Sequence, residues 1–182
     1  MICNGIDTHR LAAFGELVVT HPDAATMTAT VETRWAASYR ADASTSAFRI
    51  AGEPIPRATT LPADLPQALG GDDGGATPGE LLLAALSACV TQAFVEGAAM
   101  AGVHLDHLVI SADGQLDLRG VVGVEGVRPG FSRIHLDVEV AASADAAQVD
   151  GLLAAALRRS PVADTVGAGV AIDASVRQPH PA

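Results

Sequence analysis

An α+β fold with mainly antiparallel pairing is what this sequence predicts, and three observations carry the prediction. Residues 27–35 alternate strictly, with Met27, Ala29, Val31, Thr33 and Trp35 on one face and Thr28, Thr30, Glu32 and Arg34 on the other. That is the pattern of a half-buried strand. Residues 77–102, TPGELLLAALSACVTQAFVEGAAMAG, read as one long helix. Alternation then returns twice, at Leu105–Leu118 and at Phe131–Val140. Strands, helix, strands, helix and a last strand, with no internal repeat, give the α+β order.

Taken from the start, residues 1–25 form an N-terminal extension in which LAAFGELVV suits a short helix or a strand and His21-Pro22-Asp23 suits a turn. Residues 26–182 form the main domain. After the strand at 27–35, Tyr39–Ala43 and Ala47–Ala51 read as two further strands of a meander, and Gly52–Ala76, rich in Pro, Gly and Asp, as a loop. The long helix carries its own start signal. Thr77 stands at the cap, Pro78 at the first helical position and Glu80 three residues after the cap, so that Thr and Glu side chains each satisfy an orphan backbone donor. Gly102 suits its end. Leu81–Leu86 is apolar on every side, which predicts burial all round.

Downstream, Leu108, Ile110 and Ala112 face inward against His107, Ser111 and Asp113, and Ile134, Leu136, Val138 and Val140 against Arg133, His135, Asp137 and Glu139. Arg119–Gly130 is a Gly-rich connection between them. Ser143 caps a second helix with the apolar stripe Val149, Leu152, Leu153, Ala156 and Leu157, which Pro161 stops after Ser160. Gly169–Arg177 reads as a final strand.

The bulk chemistry excludes several classes. A net charge of −10, with every basic residue an arginine, opposes binding to nucleic-acid phosphates. The absent lysine removes both a Walker-type phosphate lysine and Schiff-base chemistry. No stretch reads as a membrane span and the N-terminus lacks a signal-peptide pattern, so no membrane partner is expected. Two cysteines make no disulfide framework, and a cytoplasmic location is the expectation. The run GGDDGG at 70–75 precedes a helix but lacks the Lys-Ser/Thr of a phosphate loop, and a flexible loop is expected. His104 and His107, three apart on a strand, point to opposite faces, so neither a metal nor a cofactor is expected.

Cys89, in the middle of the long helix, is the candidate nucleophile, and a packed core thiol is the alternative. A mid-helix thiol gains nothing from the helix N-terminus, so activation needs a guanidinium. Arg34, Arg40 and the pair Arg158–Arg159 are the available cations, although two arginines in a last helical turn also complement the macrodipole. Glu80 is accounted for as a cap. Glu96, seven residues after Cys89, lies two turns along roughly the same face.

These residues carry a resemblance. PGELLLAALSAC at 78–89, QLDLRG at 115–120, VRPGF at 127–131 and RRSPVADT at 158–165, with NGID at 4–7 and TRW at 33–35, are similar to motifs of the OsmC/Ohr family of organic hydroperoxide reductases. The resemblance implies an OsmC-like fold, with antiparallel sheets around a long central helix and two chains intertwined as a homodimer whose active sites lie at the interface. It implies a thiol-dependent peroxidase in oxidative-stress defence, in which a peroxidatic thiolate attacks an organic hydroperoxide. Cys89 matches that cysteine. The family's resolving cysteine corresponds to Ser160 and its arginine-anchoring glutamate to Gly79, so an external thiol reductant, or Cys3, would have to complete turnover. The activating arginine corresponds to Arg34 or Arg40. The same two departures suit a degenerate member that binds a small apolar ligand at the dimer interface without redox turnover.

Overall fold

Glycine and asparagine shape the first turn of the chain. In the computed structural model, which describes residues 1–176, Asn4 and Gly5 both take positive φ (50° and 78°). They close a two-residue hairpin between β1 (Ile2–Cys3) and β2 (Ile6–Asp7), as such turns require. Asp7 then caps α1 (Thr8–Thr20), its carboxylate accepting from the His9 and Arg10 N–H groups. The ambiguous LAAFGELVV is therefore helical, and the turn at His21 leads into a short 3-10 helix, Pro22–Ala25.

The N-terminal sheet holds β3 (Met27–Ala37), β4 (Arg40–Ile50), β5 (Glu53–Pro54) and β6 (Thr60–Ala63), with β4 pairing antiparallel to all three others. Two sequence expectations change here. The separate strands expected at 39–43 and 47–51 are one strand, because the register skips Ser46 and the ladder continues across a bulge. The proline-rich stretch 52–76 is not loop throughout, since it contributes β5, β6 and a 3-10 turn, Gln67–Leu69.

The second body is built on α2 (Pro78–Met100), 23 residues long. Thr77 Oγ1 accepts from the Glu80 N–H while the Glu80 carboxylate accepts from the Thr77 N–H at 2.7 Å, so the expected cap is formed at both ends. Those bonds hold the Glu80 carboxyl below its ordinary pKa. The helix packs on α4 (Ala146–Arg159), α5 (Pro161–Ala168) and the hairpin of β7 (Leu105–Gln115) and β8 (Arg133–Ala142). A single turn, α3 (Leu118–Val121), lies in the connection between the two strands. Leu86, Val90, Phe94 and Ala156 are buried at the centre, with Leu108, Ile110, Ile134, Leu136 and Leu152 packed around them. The inward faces read from the alternation of β7 and β8 are the ones that pack.

Burial departs from expectation on α2. Its buried positions fall on one side, chiefly Leu86, Val90, Phe94 and Ala98 at a spacing of four, while Leu82, Ala84 and Ala85 are exposed. The reason is that α4, α5 and the β7–β8 hairpin cover a single face of the helix. By length and composition alone α2 is long and apolar enough to cross a membrane, with a mean hydropathy of 1.6, a property that core helices packed inside a protein share. Exposure is greater still on β3, where all eleven residues are exposed and Trp35 is 77 % accessible. The strand forms, but among the described residues no other element covers the Met27–Val31–Trp35 face.

Three smaller corrections follow. Asp145, not Ser143, caps α4, in a reciprocal pair with Gln148, and Ser143 Oγ instead accepts from the His104 N–H. Pro161 ends α4 as expected but also opens α5 at its first position. Residues 169–176 form no strand and pair with none among the described residues; Arg177 lies outside the described residues.

Candidate functional site

Cys89 is the central residue of α2, eleven positions from either end. It lies three residues after Leu86 and one before Val90, on the border of the buried stripe, and its side chain is half-buried. No hydrogen bond to it is found among the described residues. One heptad further along α2, Glu96 is paired with Arg159 from the last turn of α4. Arg159 therefore does more than complement a helix dipole: it ties the end of α4 to the α2 face that carries Cys89.

Ser160 follows directly and is 1 % accessible. Its Oγ accepts from the Ala163 N–H at 3.1 Å, capping α5. The residue standing in the resolving position is thus committed to holding a helix start. Replacing it with alanine would leave a buried N–H without a partner. The Ser160→Ala variant is expected to lose about 1–2 kcal/mol of stability in chemical denaturation.

Gly79 has a packing reason. A Cβ built there would stand 3.2 Å from the Phe131 ring, and the same ring lies against Gly114, where a Cβ would come within 2.6 Å. Phe131, from the VRPGF segment, occupies the space into which a side chain at 79 would project. Cys3 is buried in the β1–β2 hairpin, its Sγ facing the Val103 carbonyl. Asn4 fastens that hairpin to the corner after α2, donating to Val103 O and accepting from the Leu105 N–H. At 1.5 Å rise per residue, Cys89 lies about 16 Å from the end of α2 at which Cys3 is docked, far beyond the roughly 7 Å between Cα atoms that a disulfide spans. Within one chain Cys3 cannot resolve Cys89.

The two candidate arginines differ sharply. Arg34 is exposed on β3 and pairs with Glu32 at 2.6 Å. Arg40 opens β4 and is held from two sides: Nε donates to Asp42 Oδ1 at 3.0 Å, and an Nη donates to the Gly74 carbonyl at 2.6 Å. The GGDDGG run is accordingly not a flexible loop. Asp64, 2 % accessible, accepts from the N–H groups of Leu65, Asp72 and Gly74. The Gly74 bond, the others with it, and the Arg40 charge nearby hold its carboxyl below the ordinary value of 3.8. The amides that a phosphate would need are occupied by the chain's own carboxylate. The Asp64 N–H in turn donates to Ala76 O at 3.2 Å, closing the loop just ahead of Thr77.

Among the described residues no hydrogen bond or ion pair joins Arg40 to Cys89; the arginine is held by Asp42 and by the loop before α2. Asp64, Asp42 and Gly74 were missed in the sequence reading. The only signal was an aspartate between two prolines, six residues before a Gly-rich run, a spacing that many surface loops share.

Two shallow grooves lie beside α2, the first of mixed character and the second mainly apolar, and Cys89 lines neither. One, of about 590 Å³, is lined by Leu82, Leu116, Phe131, Ile134 and Val166 with Arg128 at its side; the other, of about 340 Å³, is lined by Leu86, Leu136, Leu153 and Val166. Among the described residues no cluster of three His, Cys, Asp or Glu side chains is placed to hold a metal ion.

Comparison with known proteins agrees with this architecture. The OsmC-like protein family matches residues 70–175, more than half of the chain. An OsmC-like protein from Mycoplasma pneumoniae superposes with a TM-score of 0.61 at 15 % identity, covering 78 % of this chain and 89 % of that one. An organic hydroperoxide resistance protein OsmC from Legionella pneumophila gives 0.53 at 17 %, covering 76 % and 88 %. The organic hydroperoxide resistance protein OhrB of Bacillus subtilis gives 0.50 at 20 %, covering 78 % and 92 %. No curated protein matches the sequence significantly. At these identities the structures speak for the fold, and the match over 70–175 speaks for descent: the chain belongs to the OsmC-like protein family.

Proposed function

We propose that this protein is a thiol-dependent peroxidase that reduces organic hydroperoxides through Cys89, in oxidative-stress defence. The observation that carries the reading is a half-buried thiol at the midpoint of α2, bordering a helix face that the chain's own elements leave open. Resemblance to hydroperoxide resistance proteins supplies the reaction class. The Cys89 thiolate attacks the terminal peroxide oxygen, the O–O bond breaks, and the departing alkoxide takes up a proton to leave as an alcohol. Sulfur loses two electrons and becomes a sulfenic acid. An external thiol condenses with it, releasing water and forming a mixed disulfide, and a second equivalent of thiol frees Cys89.

Two copies are required by this reading. Among the described residues Arg40 makes its contacts with Asp42 and Gly74 and none with Cys89, so in this reading Arg40 of one copy serves Cys89 of the other. Homodimerisation also covers the exposed face of α2 and the Met27–Val31–Trp35 face of β3. Arg40 is preferred over Arg34 because its guanidinium is already held in place. A cytoplasmic location fits the need for reduced thiols.

The test is the rate at which Cys89 becomes sulfenic acid with cumene hydroperoxide and with hydrogen peroxide, with and without added dithiol. The expected result is preference for the organic peroxide and multiple turnovers only with dithiol. Oxidation no faster than that of a free thiol would overturn the reading. It would favour the second one, a family member that holds a small apolar ligand beside Cys89 without turnover, for which the structural use of Ser160 and Gly79 speaks.

A further inference from the structure

We infer that Asp64 is a positioning residue for the Cys89 site, and that it acts through Gly74 to fix the guanidinium of Arg40. The inference rests on the reading that Arg40 activates Cys89. Gly79 removes the carboxylate expected to steady the arginine, and the neighbouring Glu80 is turned to Thr77 through Oε2, with no ion pair to Arg40 among the described residues. The chain holds Arg40 another way. Asp64 Oδ2 accepts from the Gly74 N–H at 2.9 Å, and the carbonyl of that same residue accepts from Arg40 at 2.6 Å. One residue thus passes the constraint from a buried carboxylate to the arginine. Asp42 supplies the second hold, at 2.9 Å.

Glycine at 74 leaves room for the arginine. A Cβ there would stand 2.6 Å from an Arg40 Nη and 3.1 Å from Asp64 Oδ2. Its φ lies outside the left-handed region, so alanine is compatible with the backbone and would displace only the end of the arginine. Asp64 itself is nearly inaccessible and accepts from three N–H groups, so it is too well satisfied to turn toward a substrate. Its place in the site is to hold the carbonyl that holds the arginine. Such supporting contacts matter because displacement of a reacting group by about 1 Å costs rate.

The experiment compares the wild-type full-length protein with Arg40→Met, Asp64→Asn, Gly74→Ala and the double variant Arg40→Met/Asp64→Asn. The readouts are the pH profile of Cys89 alkylation by iodoacetamide and the rate of oxidation by cumene hydroperoxide. The charged pair on Cys89's own helix face, Glu96 and Arg159, is the same in all of them. Arg40→Met is expected to move the alkylation midpoint up by about one pH unit, the size of an opposite charge removed. Asp64→Asn and Gly74→Ala are expected to move it in the same direction and to slow oxidation on the order of tenfold. The double variant is expected to be no worse than Arg40→Met, since both lie on one chain of contacts.

If Arg40→Met shifts the profile while Asp64→Asn and Gly74→Ala both follow wild type, the inference fails and the peroxidase reading stands. If Arg40→Met changes nothing, the reading of Arg40 fails and takes the inference with it. A purely structural Asp64 would lower thermal stability and leave the Cys89 profile in place, which also overturns it. Should Asp64→Asn not fold, Asp64→Glu is read in its place, because Gly74→Ala moves the arginine by its own bulk whatever Asp64 does.

Discussion

Cys89→Ser is expected to reduce hydroperoxide consumption to the rate of protein-free buffer, a fall of roughly a thousandfold or more, as when a covalent nucleophile is removed. Serine keeps the size and the helix but not the chemistry, because its hydroxyl stays protonated where a thiol ionises. The change should leave the fold almost untouched, since Cys89 stands at the border of the buried stripe and no hydrogen bond to it is found among the described residues. Activity is followed by loss of peroxide with dithiol present, and folding by circular dichroism. Equal consumption by the variant and the wild type would remove Cys89 from the mechanism. Cys3 is the built-in control: it is buried at a distant corner, and Cys3→Ser should retain the activity.

Which of these features could be read from the sequence follows from how far apart the determining residues lie. The capping box of α2 is written within four residues, so Thr77, Pro78 and Glu80 declared it. The inward faces of β7 and β8 were legible because alternation is local and one side meets α2 and α4. The latch on Arg40 was not, since it joins residues 40, 64 and 74 through a loop that closes only in three dimensions. The choice between Arg34 and Arg40 stayed open for the same reason: both belong to long strands, and only the contact with the loop at Gly74 sets Arg40 apart. Burial on β3 and around α2 was over-read. Apolar alternation records that a face is meant to be covered, without saying that the cover belongs to the same chain. Gly169–Val176 shows the converse, strand alternation in residues that pair with no strand among those described.

Phe94→Ala is expected to give the largest loss of stability, about 3–5 kcal/mol. Phe94 is wholly inaccessible, in the cluster formed by Leu86, Val90 and Ala156. It is also the largest of the fully buried side chains in a chain whose aromatics are only 3 % of the total, so its volume has no ready substitute. Deleting the ring loses its transfer free energy and leaves a cavity between α2 and α4, which small neighbours such as Ala156 cannot fill. The measurement is urea denaturation followed by circular dichroism at several protein concentrations, which separates folding from association. A midpoint unchanged from wild type would mean that α2 and α4 are not held together by this cluster.

The two sulfur atoms sit at separate stations, one at the midpoint of α2 and one in a hairpin docked beyond its end. Under the proposed peroxidase reaction an oxidised Cys89 would find no second cysteine near it in its own chain, and its lifetime would be set by the reductant supplied from outside. Such a centre would act as a clock, started by peroxide and stopped by an external thiol.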